Sequence, residues 1–514
     1  LVYKVKSLTT PASSNQSTSQ PVNETTFLLP SYHFSIITMW NTSISDTPYT
    51  AQMANFAANS TFESLPSSLV VLLSLFILDT FAVMLAGTAQ PIYQSALQGI
   101  KIFHHGSGSG NSSYLTLDGT ETSLSGQMYM MGLAAGNFEF EHVVSASHPA
   151  SAVFPALLCV AAANHKSGKE LLSAMAIGYE YATRIGAATI GFSATPEEVE
   201  KETAFHAIVN GPPATAAAIG NLMGWNADLI ASAMGLAASS SSGLSAYLYT
   251  DAMTRRTHPA NSGQLGAEAA LLAATGIKGP SNILENQSGY LRAFSLDPDP
   301  RLLVDGLGQE WKSAAQTLKT LPIHARSLGF AYAVDQYRKN HTWTASDISN
   351  ITVYAGPPVL DPENWISEPE SLAMAQYSIP FSIVATLVVD LTRNPLGMNE
   401  ALIRNQTARD LSAAMKKVSI SDDNQYFLGY MTFNIGSELV NLTVTGYPGL
   451  PGEEGYRRVA EDKYEAVLRA LALEGKGDEV RDAVMKLVDC GDVSLVLDGL
   501  IELGRKACMN GTEY

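Results

Sequence analysis

Four stretches of this chain set histidines and basic residues inside text that is otherwise apolar and built of small side chains. Each has the inventory for acid–base or anion-binding chemistry. The first, NFEFEHVVSASHPASAVFPALL, holds Glu139, Glu141, His142 and His148. The following PASAVFPALLCVAAA reads as a buried helix, with Pro149 at its start. His148 then stands at a helix N-terminus, where free N–H groups favour anions, placed to touch a carboxylate or act as an acid. The competing reading is a local cap. A metal is not assigned, because no other His or Cys arrives at ligand spacing. The second stretch, AFHAIVNGPPATAAAIGNLMGW, carries His206 as either a pocket-lining imidazole or an inert loop histidine. The third, AMTRRTHPANSGQLGAEAALLAATG, sets Arg255, Arg256 and His258 just before a Gly/Ala helix. Arginine forks bind carboxylates in a bidentate way, so this cluster suits a small polycarboxylate, against the alternative of a solvated surface pair. The fourth, LKTLPIHARSLGF, offers Lys319, His324 and Arg326, either closing over the first three or forming a solvated basic strip. The combination is more informative than any one piece.

These groups need elements to position them. From about Ser31 to Lys278, apolar residues recur at three- and four-residue spacing, as in GKELLSAMAIGYEYATRIGAATIG, which predicts helices. Asn226 suits an N-cap, and Gly168 and Gly276 suit helix ends. The abundance of Ala, Gly and Ser predicts a tightly packed bundle. Near Asp297 the texture changes. Alternating pieces at 351–356 and 430–449 predict half-buried strands. Helical stretches, RSLGFAYAVDQYRKN and SLAMAQYSIPFSIVATLVVDL, lie between them. After Gly452 charged amphipathic helices return. The chain therefore reads as a mainly α protein. Residues 1–32 form a flexible Ser/Thr/Asn/Pro-rich tail, 33–298 a helical domain, 299–452 a smaller α+β lid, and 453–514 helices packing back on the helical domain. Phosphate-binding, zinc-protease, serine-hydrolase, dithiol and dinucleotide motifs are absent, and GSGSG at 106–110 reads as a loop.

Composition narrows the partners. The 514 residues are 46% hydrophobic and 15% charged, which permits a large core. With 31 basic and 48 acidic residues the net charge is −17, which argues against nucleic acid or an anionic membrane as partner. The apolar run Leu69–Leu78 is shorter than the roughly 20 residues a spanning helix needs and predicts a buried helix. Three cysteines, Cys159, Cys490 and Cys508, cannot build a disulfide framework, although Cys490 and Cys508 could pair. N-x-S/T sequons occupy 11 of 24 asparagines. A Ser plus Thr content of 86 in 514 predicts about four by chance. The excess predicts passage through a secretory pathway, with cytoplasmic or mitochondrial residence the alternative, and a start at Leu1 fits a leader already removed.

The motifs fall in a familiar order. LDTFAVMLAG at 78–87, SHPASAVFPAL, GYEYATRIG at 178–186, FH at 205–206, MTRRTHPANSGQLGAEAALLA, GIKGPSNILENQSGY, LKTLPIHARS and AQYSIPFSIVATLV together resemble the MmgE/PrpD family. That family includes 2-methylcitrate dehydratase, cis-aconitate decarboxylase and iminodisuccinate epimerase. The resemblance implies a large helical domain, a smaller α+β lid, a homodimer, and a cofactor-free lyase site between bundle and lid. By position it implies His148, His206 and His258 as active-site histidines. It places Arg256, Lys319 and His324 on the substrate-carboxylate or lid side, and adds Tyr290 as a further candidate. Arg255 stands where relatives often carry Lys. It keeps the charge but does not readily release a proton. Leu328 stands where relatives often carry His, and FEFEHVV lacks the family's usual run of Asp. The motif order resembles fungal cis-aconitate decarboxylases, which implies decarboxylation of cis-aconitate or an alkylated analogue. A dehydratase of 2-methylcitrate or alkylcitrate type is the alternative. A member that binds a metabolite without lyase chemistry is a second.

Overall fold

The computed structural model describes residues 47–103, 114–144, 147–190, 205–250, 252–357, 359–362, 364–420, 429–451 and 455–509. The chain divides into Leu1–Ser43 and Ile44–Tyr514. The first unit, with the tail read at 1–32, lies outside the described residues, as do the GSGSG loop and the sequons at Asn15, Asn23, Asn41, Asn111 and Asn510.

The protein is mainly α, with a smaller α+β part. Helix α1 (Tyr49–Asn59) leads to α2 (Ser67–Thr88), whose SSLVVLLSLFILDTFAVMLAGT is apolar on nearly every face. A helix apolar all round belongs in an interior. α2 is 22 residues long, longer than the run read from sequence and sufficient by length to cross a membrane. However, 83% of its most apolar window is buried inside the protein, and core packing accounts for its composition.

The bundle continues with α3 (Leu124–Gly136), α4 (Phe154–Ala163), α5 (Gly168–Ile190), α6 (Gly211–Leu222), α7 (Ala227–Ser239) and α8 (Thr254–Ala274), with α3 and α5 packed directly on α2. Asn226 caps α7 by accepting from the Leu229 N–H, as its sequence context predicts. Gly276 follows α8 with φ 99°. Gly168, expected to end a helix, instead opens α5, and the positive φ falls on His165. The helix expected over 149–163 is broken: Pro149–Ala152 forms one turn, Val153 leaves helical geometry, and Phe154 restarts it ahead of Pro155. The small residues have a packing reason. A Cβ on Gly132 would sit 2.9 Å from the Ala260 backbone, and one on Gly266 2.5 Å from the Pro212 carbonyl, so α8 lies tight against α3 and α6.

The α+β part holds a four-stranded sheet, β1 (Ile348–Ala355), β2 (Lys416–Ser419), β3 (Gly429–Ile435) and β4 (Glu438–Val444), in the order β2-β1-β3-β4. β3 and β4 form a hairpin, and β1 pairs antiparallel with β3 and parallel with β2. The sequence pattern anticipates β1, β3 and β4. It misses β2, whose KKVS is exposed throughout and carries no buried alternation. Against the sheet lies α9 (Leu328–Arg338), on which α10 (Ile379–Val388) packs, with the short helix Leu372–Tyr377 ahead of α10. Leu328 is fully buried at the start of α9. After the sheet, α11 (Tyr456–Ala470) packs along α2, and α12 (Ser494–Met509) follows. Cys159, Cys490 and Cys508 are all free thiols, so the possible Cys490–Cys508 pair is not formed.

Candidate active site

Three loop-to-helix junctions bring the imidazoles together. The rings of His148 and His206 lie 5.2 Å apart and stacked, and those of His206 and His258 5.7 Å apart. His148 precedes the turn Pro149–Ala152 and makes no side-chain capping bond, so the local-cap reading does not describe it. His206 accepts at Nδ1 from the Ile208 N–H, which places the proton of its neutral ring on Nε2. His258 sits in the first turns of α8, one residue before Pro259. His148 and His206 are 5% and 1% exposed, whereas His258 is half-buried and gives the cluster its contact with solvent. Tyr247 stands edge-on to both His206 and His258, at 5.8 Å from each ring.

Arg255 and Arg256 lie in the first turn of α8, where the helix dipole disfavours cations. Two buried carboxylates compensate. Arg255 Nη2 lies 3.2 Å from Glu141 Oε1 and 3.3 Å from Glu139 Oε2. Arg256 Nη1 lies 3.3 Å from Glu139 Oε2, and its Nη2 donates to Gln376 at 2.7 Å. Lys319 donates to the same Glu139 carboxylate. His148 Nδ1 lies 3.3 Å from Glu141 Oε1. The acidic stretch, to which the sequence assigns no metal, is therefore the counter-charge for the cations read as substrate clamps. The solvated-pair reading of Arg255 and Arg256 fails because both are 3% exposed. Among the described residues, no group of three His, Cys, Asp or Glu is arranged to hold a metal.

The electrostatics follow from burial and from Arg255. Burial pushes the His148 pKa down, and the adjacent Glu141 carboxylate only partly opposes this. Burial, Arg255 and the two neighbouring imidazoles hold His206 well below its usual range. Burial and then Arg255 bring His258 to about 4. All three rings are thus neutral near pH 7 before an anion arrives, and an incoming carboxylate would raise their proton affinity. Burial alone would raise both glutamates, but Arg255, Lys319 and Arg256 outweigh it at Glu139. Chiefly Arg255, with His148, outweighs it at Glu141, which lies at about 2.

The α+β part contributes at one edge. His324 donates its backbone N–H to the Gln376 carbonyl, and its ring lies 5.6 Å from Tyr377. Arg256 approaches the Tyr377 face at 6.0 Å. Arg326 points elsewhere, to Asn364 at 3.0 Å and Asp361 at 3.7 Å. Tyr290 does not join the imidazoles. It packs on Phe294, which in turn packs on Phe205, the residue before His206. Sequence reading missed Tyr247, Gln376 and Tyr377, and missed the role of Glu139 and Glu141 as cation partners. Glu139 had one usable signal, an acidic residue in strongly apolar text. Behind it, His142 is bound by Asp79 at 2.8 Å and by Tyr179 at 3.2 Å. A cavity of about 540 Å³ opens beside Phe140 and Lys463, and its lining includes none of the three histidines.

Comparison with known proteins places this arrangement. Residues 51–303 match the MmgE/PrpD N-terminal domain. A cis-aconitate decarboxylase of Aspergillus terreus is 24% identical over 480 residues, covering 87% of this chain and 95% of the relative. A cis-aconitate decarboxylase-like protein of Aspergillus oryzae is 25% identical over 344 residues, covering 63% of this chain and 69% of the relative. The human cis-aconitate decarboxylase is 27% identical over 274 residues, covering 51% and 54%. The matched region carries all three clustered histidines and both arginines, and residues 51–303 belong to the MmgE/PrpD family.

Proposed function

We propose that this protein is a lyase acting on a small polycarboxylate, and that it decarboxylates cis-aconitate or an alkylated analogue. The observation that carries this is the buried convergence of His148, His206 and His258 beside Arg255. The names of its relatives support the same chemistry. Loss of CO2 moves the electrons of the broken C–C bond into a new double bond, and the old double bond takes a proton at its distal carbon. A histidine made imidazolium by the bound acid supplies that proton. Arg255 and its neighbours stabilise charge developing on a remaining carboxylate. Arg255 holds its proton throughout, so the acid role falls to another group, and we assign it to an imidazole.

One observation favours a second reading. Glu141 beside His148 gives the site a base as well as an acid, which suits dehydration of a 2-alkylcitrate. Purified protein incubated separately with cis-aconitate and 2-methylcitrate separates the two: CO2 release identifies the decarboxylase, and a new conjugated-acid absorbance the dehydratase. Silence with both acids would leave a binding protein without lyase chemistry. The homodimer implied by family resemblance belongs to the same proposal, and light scattering on the eluting protein tests it.

A further inference from the structure

Residues 138–140 cross the site with their carbonyls held by side chains from distant parts of the chain. Gln376 donates to the Phe138 carbonyl at 2.6 Å, Lys319 to the Glu139 carbonyl at 3.2 Å, and Lys463 to the Phe140 carbonyl at 3.0 Å. Glu139 is itself held at φ 56°, a region a non-glycine residue enters only when its surroundings impose it. Two of these donors belong to the site already described. The third comes from α11. Lys463 is 4% exposed, forms an ion pair with Asp79 in the middle of α2, and lies 4.3 Å over the Phe140 ring. Asp79 in turn holds His142.

We infer that Lys463 is a positioning residue for the proposed active site: by holding the Phe140 carbonyl it fixes where Glu139 and Glu141 meet Arg255 and His148. The inference rests on the histidine cluster being the active site. A buried ion pair is a poor way to gain stability, because apolar residues of similar volume often serve as well or better. An aimed ammonium therefore fits a geometric task better than a packing one. Glu139 and Glu141 face the cations, while the Phe140 carbonyl and the His142 ring face Lys463 and Asp79. Releasing the inner side would let the outer side move.

The test uses paired variants that remove both buried charges. Asp79→Asn/Lys463→Met deletes the donor to Phe140, and Asp79→Asn/Lys463→Gln keeps one. With cis-aconitate, the Met pair is expected to lose kcat at least roughly tenfold, with a smaller change in KM, while the Gln pair retains most activity. The basic limb of the kcat–pH profile should move to lower pH in the Met pair only. His148 is faced by Glu141, Glu139, Arg255 and His206, and withdrawal of Glu141 removes the group that most favours its protonation. Equal turnover in the two pairs, at any level, overturns the inference, and so does loss of fold confined to the Met pair. If the wild type turns over neither cis-aconitate nor 2-methylcitrate, the functional reading has failed by itself. Positioning is then read from the His148 ring titration by NMR, which should fall in the Met pair alone; equal titration in both pairs overturns it.

Discussion

Glu139 is the residue whose removal should disturb the site most. Its carboxylate is 4% exposed and meets Lys319, Arg255 and Arg256. With Glu141 it sets two buried negative charges against three positive ones. Glu139→Gln preserves the volume, deletes one charge, and leaves Glu141 to face all three cations. Breaking a buried pair by removing one partner costs about 3–5 kcal/mol. Three cations share this carboxylate, so the upper half of that range is expected. A chain of this size unfolds with an entropy of roughly 1 kcal/mol/K, so the midpoint should fall by about 4–5 °C. The same change takes away a negative charge that favours the protonated forms of His148 and His206, so both rings should titrate still lower. Calorimetry measures the first effect and the pH dependence of turnover the second. A midpoint within 1 °C of wild type, with an unmoved pH profile, would mean that Lys319, Arg255 and Arg256 do not depend on Glu139 and would refute their pairing with it.

Other outcomes follow from the same geometry. His148→Ala should lower turnover at least roughly tenfold, as expected for a lost proton donor, while leaving the circular dichroism unchanged; full activity would remove His148 from the mechanism. Arg255→Ala would strip Glu141 of its ion-pair partner and take one of three cations from Glu139, so Arg255→Lys is the informative change. It should fold and keep part of the activity, and a wild-type rate would show that the two-pronged contact is unnecessary. Stability should depend on acid. His148, His206 and His258 have folded pKa values below the unfolded 6.5, so the unfolded chain binds more protons as pH drops. Their contribution is present above about 6.5 and is lost as pH falls towards about 4, the value for His258. Urea midpoints at pH 7.5 and 5 should therefore differ, the lower pH being less stable, and equal midpoints would contradict neutral buried rings. We also propose that the sequons are used. Asn59, Asn340, Asn350, Asn405 and Asn441 are exposed, with Asn286 half-buried. Asn405 caps its helix through Oδ1, leaving Nδ2 for a glycan. Material from a eukaryotic host should lose mass on enzymatic deglycosylation, and an unshifted mass would end the secretory reading.

The chemical inventory and most of the elements were legible in the order of residues alone. Helical spacing located α5 and α7, alternation located β1, β3 and β4, and the rarity of histidine and arginine in small-residue text singled out His148, His206, His258, Arg255 and Arg256. These are local signals, carried by residues within a turn or two of one another. Which charge answers which is fixed only in the folded chain. Arg255 meets Glu141 across 114 positions, Lys319 meets Glu139 across 180, and Lys463 reaches Phe140 across 323. No periodicity records such pairs, because a long-range ion pair constrains only the types of its two members and leaves the text between them free. For the same reason Tyr290, a candidate by family resemblance, stands off the imidazoles, whereas Tyr247 and Gln376, which no motif marks, stand among the site groups. Proximity to a motif is a property of the chain, and proximity to an imidazole is a property of the fold.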